Sequence, residues 1–199
     1  MIRFIGLTGP SGAGKGEVAK ILSGMGSYHI DCDKIYHELL IPPSPCLDEL
    51  KLNFGDKIFF ENGELDRKAL AAIVFSDEGR TSKLPVLNAI THKYVLDEVQ
   101  KRAEKLKEYS VFTVDAPTLF ESGFDRQCYV VISVLADKEI RIKRIIAREG
   151  LSREAAEARI NAQPDDNFYS KRSDYVLYNN GDLLSLEKEI KRIVKEAGL

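Results

Sequence analysis

The chain has 199 residues, 44% hydrophobic and 30% charged, enough for one domain with insertions and a sizeable core. Its formal net charge of −2 gives no electrostatic basis for binding nucleic acid or an anionic membrane, so any anion site has to be local. Cys32, Cys46 and Cys128, odd in number and without metal-type spacing, read as reduced cytoplasmic thiols, and neither a signal peptide nor a bilayer-spanning apolar run is visible.

Arg3–Thr8 reads as a buried strand, followed by a glycine-rich turn and a helix through about Ser23 that Gly24-Met-Gly26 stops. The turn carries Gly9-x-x-x-x-Gly14-Lys15, the phosphate-binding loop pattern up to its last position. Glycines let the backbone fold tightly and turn successive N–H groups toward an anion, and the following helix adds the positive end of its dipole. Lys15 supplies a point charge for the outer phosphates. The bland alternative is a strand-to-helix turn without a ligand, but strand, spacing, lysine and helix agree on the anion site. The motif then wants Ser or Thr, whose hydroxyl binds Mg²⁺. Gly16 stands there instead, so either a water fills that position or metal binding is weakened. Glu17 falls in the first helical turn, where a carboxylate suits the dipole.

Ser27–Ile30 is a short strand ending in Asp31-Cys32-Asp33. Carboxylates just past a strand's carboxyl end sit where open α/β sheets bind ligands. Read as an extended segment, Asp31 and Asp33 project to the same side. They would accept a hydroxyl proton or hold Mg²⁺ through water; the alternative is that they cap the next helix. That helix is marked by Ile35, Leu39 and Leu40, and Pro42-Pro43-Ser-Pro45 breaks it.

From Pro42 to about Tyr109 the pattern is helical, without a convincing strand. Leu47, Leu50 and Phe54 share a face, Asp66 is an N-cap for a helix over Arg67–Phe75, and a long helix is expected from about Glu78 to Tyr109, kinked before Pro85. This is too much helix for a crossover and reads as an insertion beside the sheet.

Ser110–Asp115 is an apolar strand that again ends in an acid, and Ala116–Glu121 a loop or short helix. Asp115 is a candidate carboxylate near the metal, a ligand for the acceptor, or a structural residue. Tyr129–Ala136 is a continuous apolar run, hence a fully buried parallel strand. Asp137 is expected to cap the next helix, which Gly150 ends; Ser152 starts another through about Ala162. Tyr175–Tyr178 is the last strand, Asn179-Asn180-Gly181 turns it, and Leu183–Val194 is an amphipathic closing helix. Strands alternating with helices predict an α/β fold with a parallel sheet covered on both faces.

Arg141, Arg144 and Arg148 recur at helical spacing. Singly each reads as part of a solvated face; together, after the fourth strand of a nucleotide-binding sheet, they read as a lid over a transferring phosphate. Arg67 and His92 would not be singled out on spacing alone.

Taken together, these residues resemble the dephospho-CoA kinase family, the last enzyme of coenzyme A biosynthesis, over essentially the whole chain. The resemblance rests on Gly6-Leu-Thr-Gly9 leading into the phosphate loop, Ile30-Asp31-Cys32-Asp33, Phe54-Gly55, Gly63-Glu-Leu-Asp66-Arg67 and Leu87-Asn-Ala-Ile-Thr-His92. Further matches are Asp115-Ala-Pro117-Thr-Leu119-Phe-Glu121, Arg159-Ile-Asn-Ala-Gln163 and Asp174-Tyr-Val-Leu-Tyr-Asn179-Asn-Gly181. It implies a three-layer P-loop kinase fold with a parallel five-stranded sheet. Within one domain it implies a nucleotide-binding core (about 1–34, 110–137 and 173–199), a helical acceptor-binding insertion (about 35–109) and a helical lid (about 138–172).

The implied activity is ATP-dependent phosphorylation of the ribose 3′-hydroxyl of dephospho-CoA, with Mg²⁺, in the cytoplasm. Asp33 matches the catalytic base. Gly9, Ser11, Gly12, Ala13, Gly14, Lys15, Gly16 and Glu17 would hold the ATP phosphates, and Asn179, Asn180 and Gly181 lie where its adenine is expected. Arg144, with Arg148 as second choice, would come from the lid; Arg67, His92, Asp115, Leu119 and Glu121 would hold the acceptor. Gly16, Thr118 and Lys93 depart from the family pattern, and only Gly16 bears on the chemistry. The alternatives are another small-molecule kinase acting on a nucleoside or nucleotide, and an ATP-binding module impaired in catalysis at Gly16.

Overall fold

The computed structural model describes residues 2–199. In chain order the elements are β1 (Arg3–Thr8), α1 (Lys15–Gly24), β2 (Tyr28–Asp31), α2 (Cys32–Leu39), α3 (Pro45–Phe54), α4 (Arg67–Val74), α5 (Asp77–Ser82) and α6 (Leu84–Lys105). They continue with β3 (Val111–Asp115), β4 (Val130–Leu135), α7 (Lys138–Glu149), α8 (Arg153–Asn161), α9 (Asp166–Ser170), β5 (Tyr175–Tyr178) and α10 (Leu183–Ala197). The chain forms two compact units, one made of Met1–Ile30 and Leu106–Leu199, the other of Asp31–Lys105.

The strands form one five-stranded sheet in the order β2-β3-β1-β4-β5. β1 runs parallel to both β3 and β4, with Leu7 opposite Asp115 on one side and Thr8 opposite Ser133 on the other. Side chains alternate across the pleat. Ile5, Leu7, Ile132 and Val134 therefore face α1 and α10, whose Val18, Leu22, Leu186 and Ile190 complete one buried core. The opposite face is built on aromatics. Phe4 packs edge-on to Phe124 at 5.3 Å between ring centroids, and Phe112 lies 6.0 Å from both Phe4 and Tyr28. β1, caught between two strands and two layers, is buried from Phe4 to Thr8.

The second unit is helical. Leu47, Leu50, Ile58, Leu70, Val74 and Ile90 form a core of their own from α3, α4, α6 and the turn before α4. Among the described residues, an isolated bridge joins Phe59 to Leu65 in this unit, outside the named strands. Asp66 caps α4 as expected, accepting from the N–H groups of Lys68 and Ala69 at 2.9 and 3.0 Å.

Several expectations are corrected. The segment holding Asp31 and Asp33 is not extended: α2 begins at Cys32, Asp31 is its N-cap and accepts from Lys34 N at 3.0 Å, and Asp33 lies in the first turn. The long helix is broken at Lys83 into α5 and α6, because Pro85 has no N–H to continue the helical ladder across that turn. Asp137 makes no side-chain cap for α7; its carboxylate instead accepts from Asn180 Nδ2 at 2.8 Å. The short helix α9 has no counterpart in the sequence reading, and α10 runs to Ala197.

Candidate active site

The site begins where β1 leaves the sheet. A Cβ on Gly9 would stand 2.1 Å from the Val134 carbonyl oxygen, so the loop can lie against β4 only with glycine there. Gly14 has φ +99°, and a Cβ there would meet Asn179 Nδ2 at 2.2 Å. Asn179, buried at the end of β5, donates from Nδ2 to Ala13 O at 2.9 Å.

Arginine side chains from α7 grip the same loop. Arg144 Nη1 donates to Gly12 O at 3.3 Å and Ala13 O at 3.1 Å, and its Nη2 to Asn179 O at 3.0 Å. A trans peptide points its C=O and N–H in opposite directions. Holding Ala13 O from behind therefore aims the Gly14 N–H away from Arg144 and Asn179. Among the described residues, no intramolecular hydrogen bond takes up the N–H groups of Gly12, Gly14, Lys15 or Gly16. They stand at the N-terminus of α1, where the helix dipole also favours an anion. Two amides of the expected set are committed elsewhere: Ala13 N donates to Pro10 O at 3.2 Å and Ser11 N to Gln163 Oε1 at 3.0 Å. Lys15 Nζ folds back to Gly9 O at 3.0 Å, and Glu17 pairs with Lys20 at 3.3 Å.

The three arginines are not one solvated face. Arg141 is buried, and that burial lowers its pKa; Asp166 and then Tyr169 act the other way. Arg148 is the exposed one, with Nη2 3.5 Å from Ser11 Oγ and 2.6 Å from Glu149 Oε1. Glu149 also accepts from Arg159 at 2.6 Å, and its pKa is lowered by the Arg148 and Arg159 hydrogen bonds.

Around this loop the other candidates divide. Asp115 ends β3 opposite Leu7, beside the strand that feeds the loop. His29, which the sequence reading treated as a strand residue, places Nε2 4.0 Å from Asp115 Oδ2, with that nitrogen buried and without a hydrogen bond. Leu119 is fully buried, and its Cδ2 would lie 2.8 Å from a Cβ on Gly6. It fills the core beneath the turn. Glu121 is exposed; after burial, it is the next cause pushing the Tyr169 hydroxyl up to about 12. Asn180 is tied to Asp137, accepting from its N–H at 2.9 Å, and Gly181 is exposed.

In the helical unit, Asp33 is exposed in the first turn of α2 and Arg67 is exposed at the start of α4. Arg67 offsets part of the rise that burial gives Tyr36. His92, half-buried on α6, has its pKa lowered by burial. An open cleft in this unit is lined by Pro42, Leu47, Lys51, Phe59 and Phe60, and neither Arg67 nor His92 lines it. Sequence reasoning missed the roles of Gln163 and His29. Gln163 stood out only as the last residue of a family-like run, and nothing local marked His29.

A strand, a glycine-bound loop with unpaired amides, a lysine and a helix, set centrally in a five-stranded parallel sheet, define a P-loop kinase. Solved structures agree. A Thermus thermophilus protein superposes with TM-score 0.80 at 34% identity, covering 98% of this chain and 97% of that one. The dephospho-CoA kinase of Campylobacter jejuni superposes with TM-score 0.66 at 28% identity over the same shares of each chain. The dephospho-CoA kinase of Moorella thermoacetica is 36% identical over 97% of this chain and 91% of its own length. The dephospho-CoA kinase family matches residues 3–185, and the chain belongs to that family.

Proposed function

We propose that this protein transfers the γ-phosphoryl group of ATP to the ribose 3′-hydroxyl of dephospho-CoA, giving CoA and ADP. The observation that carries the nucleotide half is the set of unpaired N–H groups at Gly12, Gly14, Lys15 and Gly16; family membership carries the acceptor half. The amides hold the triphosphate, and Lys15 leaves Gly9 O to meet its outer oxygens. Asn179 and Arg144 keep the loop in its shape from behind, with the adenine near Asn179–Gly181. Arg148, the exposed arginine beside Ser11, is the lid group that reaches the transferring phosphate. Asp33 accepts the hydroxyl proton as attack proceeds, and Arg67, His92, Asp115 and Glu121 are the candidates for holding the acceptor. Most of the rate comes from positioning and charge stabilisation.

Among the described residues there is no cluster of three or more His, Cys, Asp or Glu side chains built to hold a metal alone. Mg²⁺ would therefore share its ligands with the triphosphate, with Asp115 as a protein carboxylate and Asp31 or Asp33 acting through water. Asp31 has one oxygen spent on the α2 cap. When bound, the ion supplies neutralisation of charge on the outer phosphate oxygens. We place the protein in the cytoplasm, a reading supported by three free cysteines. Among the described residues no helix is long and apolar enough to cross a membrane.

The direct test is mass-spectrometric detection of CoA after mixing the protein with ATP, Mg²⁺ and dephospho-CoA. ATP binding with no CoA formed at any Mg²⁺ level would favour an impaired ATP-binding module. Asp33→Asn is expected to keep ATP affinity while losing roughly 10²- to 10⁴-fold in kcat, the usual worth of a general base. Normal turnover by that variant removes Asp33 from the base role.

A further inference from the structure

Gln163 lies between α8 and α9, outside every role assigned above. Its Oε1 accepts two hydrogen bonds, from Ser11 N and from Arg141 Nη2, each at 3.0 Å. Arg141 Nε donates at 2.9 Å to Ser11 O. The N–H and C=O of one loop residue are thus gripped by two side chains that also grip each other. Arg141 is 6% exposed and, among the described residues, its guanidinium hydrogen-bonds only to these two neutral oxygens and forms no salt bridge. A buried guanidinium satisfied this way is costly to place, and its geometry is correspondingly specific.

The consequence reaches the next peptide. Ser11 C=O and Gly12 N–H belong to one planar trans unit and point in opposite directions. Holding Ser11 O therefore aims the Gly12 N–H, one of the four unpaired amides. We propose that Gln163 and Arg141 form a latch from the lid segment that orients the Gly12 amide for the triphosphate, making Gln163 a positioning residue for phosphate binding. The proposal rests on reading the loop as the ATP cradle. It adds that the cradle's first free amide is set by the segment carrying α8 and α9 as well as by the loop itself.

The test compares wild type with Gln163→Met, which keeps length and volume but removes the acceptor. Calorimetry with inorganic tripolyphosphate and with adenosine separates the phosphate site from the base site, and neither probe needs the acceptor. Tripolyphosphate affinity is expected to fall about five- to tenfold, the net worth of one ordinary hydrogen bond, with adenosine affinity unchanged. In turnover, KM for ATP rises by the same factor while KM for dephospho-CoA stays put. A merely structural role would lower the melting temperature and active fraction without moving the KM of the surviving enzyme. Arg141→Met should act similarly, and the double variant should be no more than about twofold worse than either single one, because both break one ring of bonds. Gln163→Asn, which retracts the amide, gives a second reading of the same sign if Met impairs folding. Tripolyphosphate affinity within twofold of wild type in both Gln163 variants, multiplying effects in the double variant, or equal losses for adenosine would overturn the latch. Wild type that binds tripolyphosphate but makes no CoA would fault the proposed transfer reaction and leave the latch standing; wild type that binds no tripolyphosphate would overturn both.

Discussion

At Gly16 the loop lacks the hydroxyl its motif expects, and nothing lies within 4 Å of where a Cβ would be. Ser therefore fits without displacing a neighbour, and leaving glycine in a first helical turn gains a few tenths of a kcal/mol. Gly16→Ser is expected to lower the Mg²⁺ concentration for half-maximal rate several-fold, read from a metal titration at fixed ATP. An unchanged titration means that a water or another residue already fills the place. His92 makes a second, independent prediction. Burial lowers its pKa from the ordinary 6.5, so the unfolded chain holds the proton more tightly than the folded one. Its contribution to stability is full above about 6.5 and declines as pH falls from there toward the folded value. Between about pH 7.5 and 5.5 the wild type should lose more melting temperature than His92→Gln; parallel curves would show that the imidazole is not held neutral.

The phosphate loop behaves as an element whose shape is enforced from three strands' ends. Gly14 is held by its left-handed φ and by the Asn179 amide pressed against it. Gly14→Ala is expected to cost roughly 1–3 kcal/mol in backbone strain alone and at least about tenfold in ATP affinity. Adding Asn179→Ala relieves the clash and leaves the strain, so calorimetry on the pair should show incomplete recovery; native affinity in the single variant would mean the loop is softer than its geometry implies. How much of this was legible depended on how local the cause was. β3 and β4 announce themselves as apolar runs, and the loop motif, the Asp66 cap and the Gly150 stop are contained within a few residues. The site's other half is long-range. Asp137 gives up its cap because Asn180 reaches it from the far end of β5, and Leu119 is buried because Gly6 leaves room over β1. Arg141 and Gln163 meet at Ser11 across more than a hundred residues of chain. Asp31 was ambiguous for the opposite reason: strand and cap signals meet within one turn, and it serves both, ending β2 and capping α2.

Across the whole molecule, near-neutral net charge coexists with a loop whose positive character comes from main-chain dipoles and a few arginines. The core between the sheet and α1 with α10 and the core within Asp31–Lys105 share no side chain among the described residues. Cores that share no side chain need not lose stability together, and amide exchange reports them separately. Leu50 is fully buried in the helical unit's core, so Leu50→Ala should cost about 2–5 kcal/mol there. Hydrogen exchange followed by mass spectrometry is expected to show α3 and α6 losing protection first, while β1 and β4 keep theirs until denaturant is added. ATP calorimetry on the same variant should change little, since the amide cradle belongs to the other unit, whereas KM for dephospho-CoA should rise if the helical unit holds the acceptor. Uniform loss of protection across both units, or a matched loss of ATP and acceptor affinity, would show that the two cores act as one cooperative body and that the acceptor's side of the reaction cannot be tuned separately.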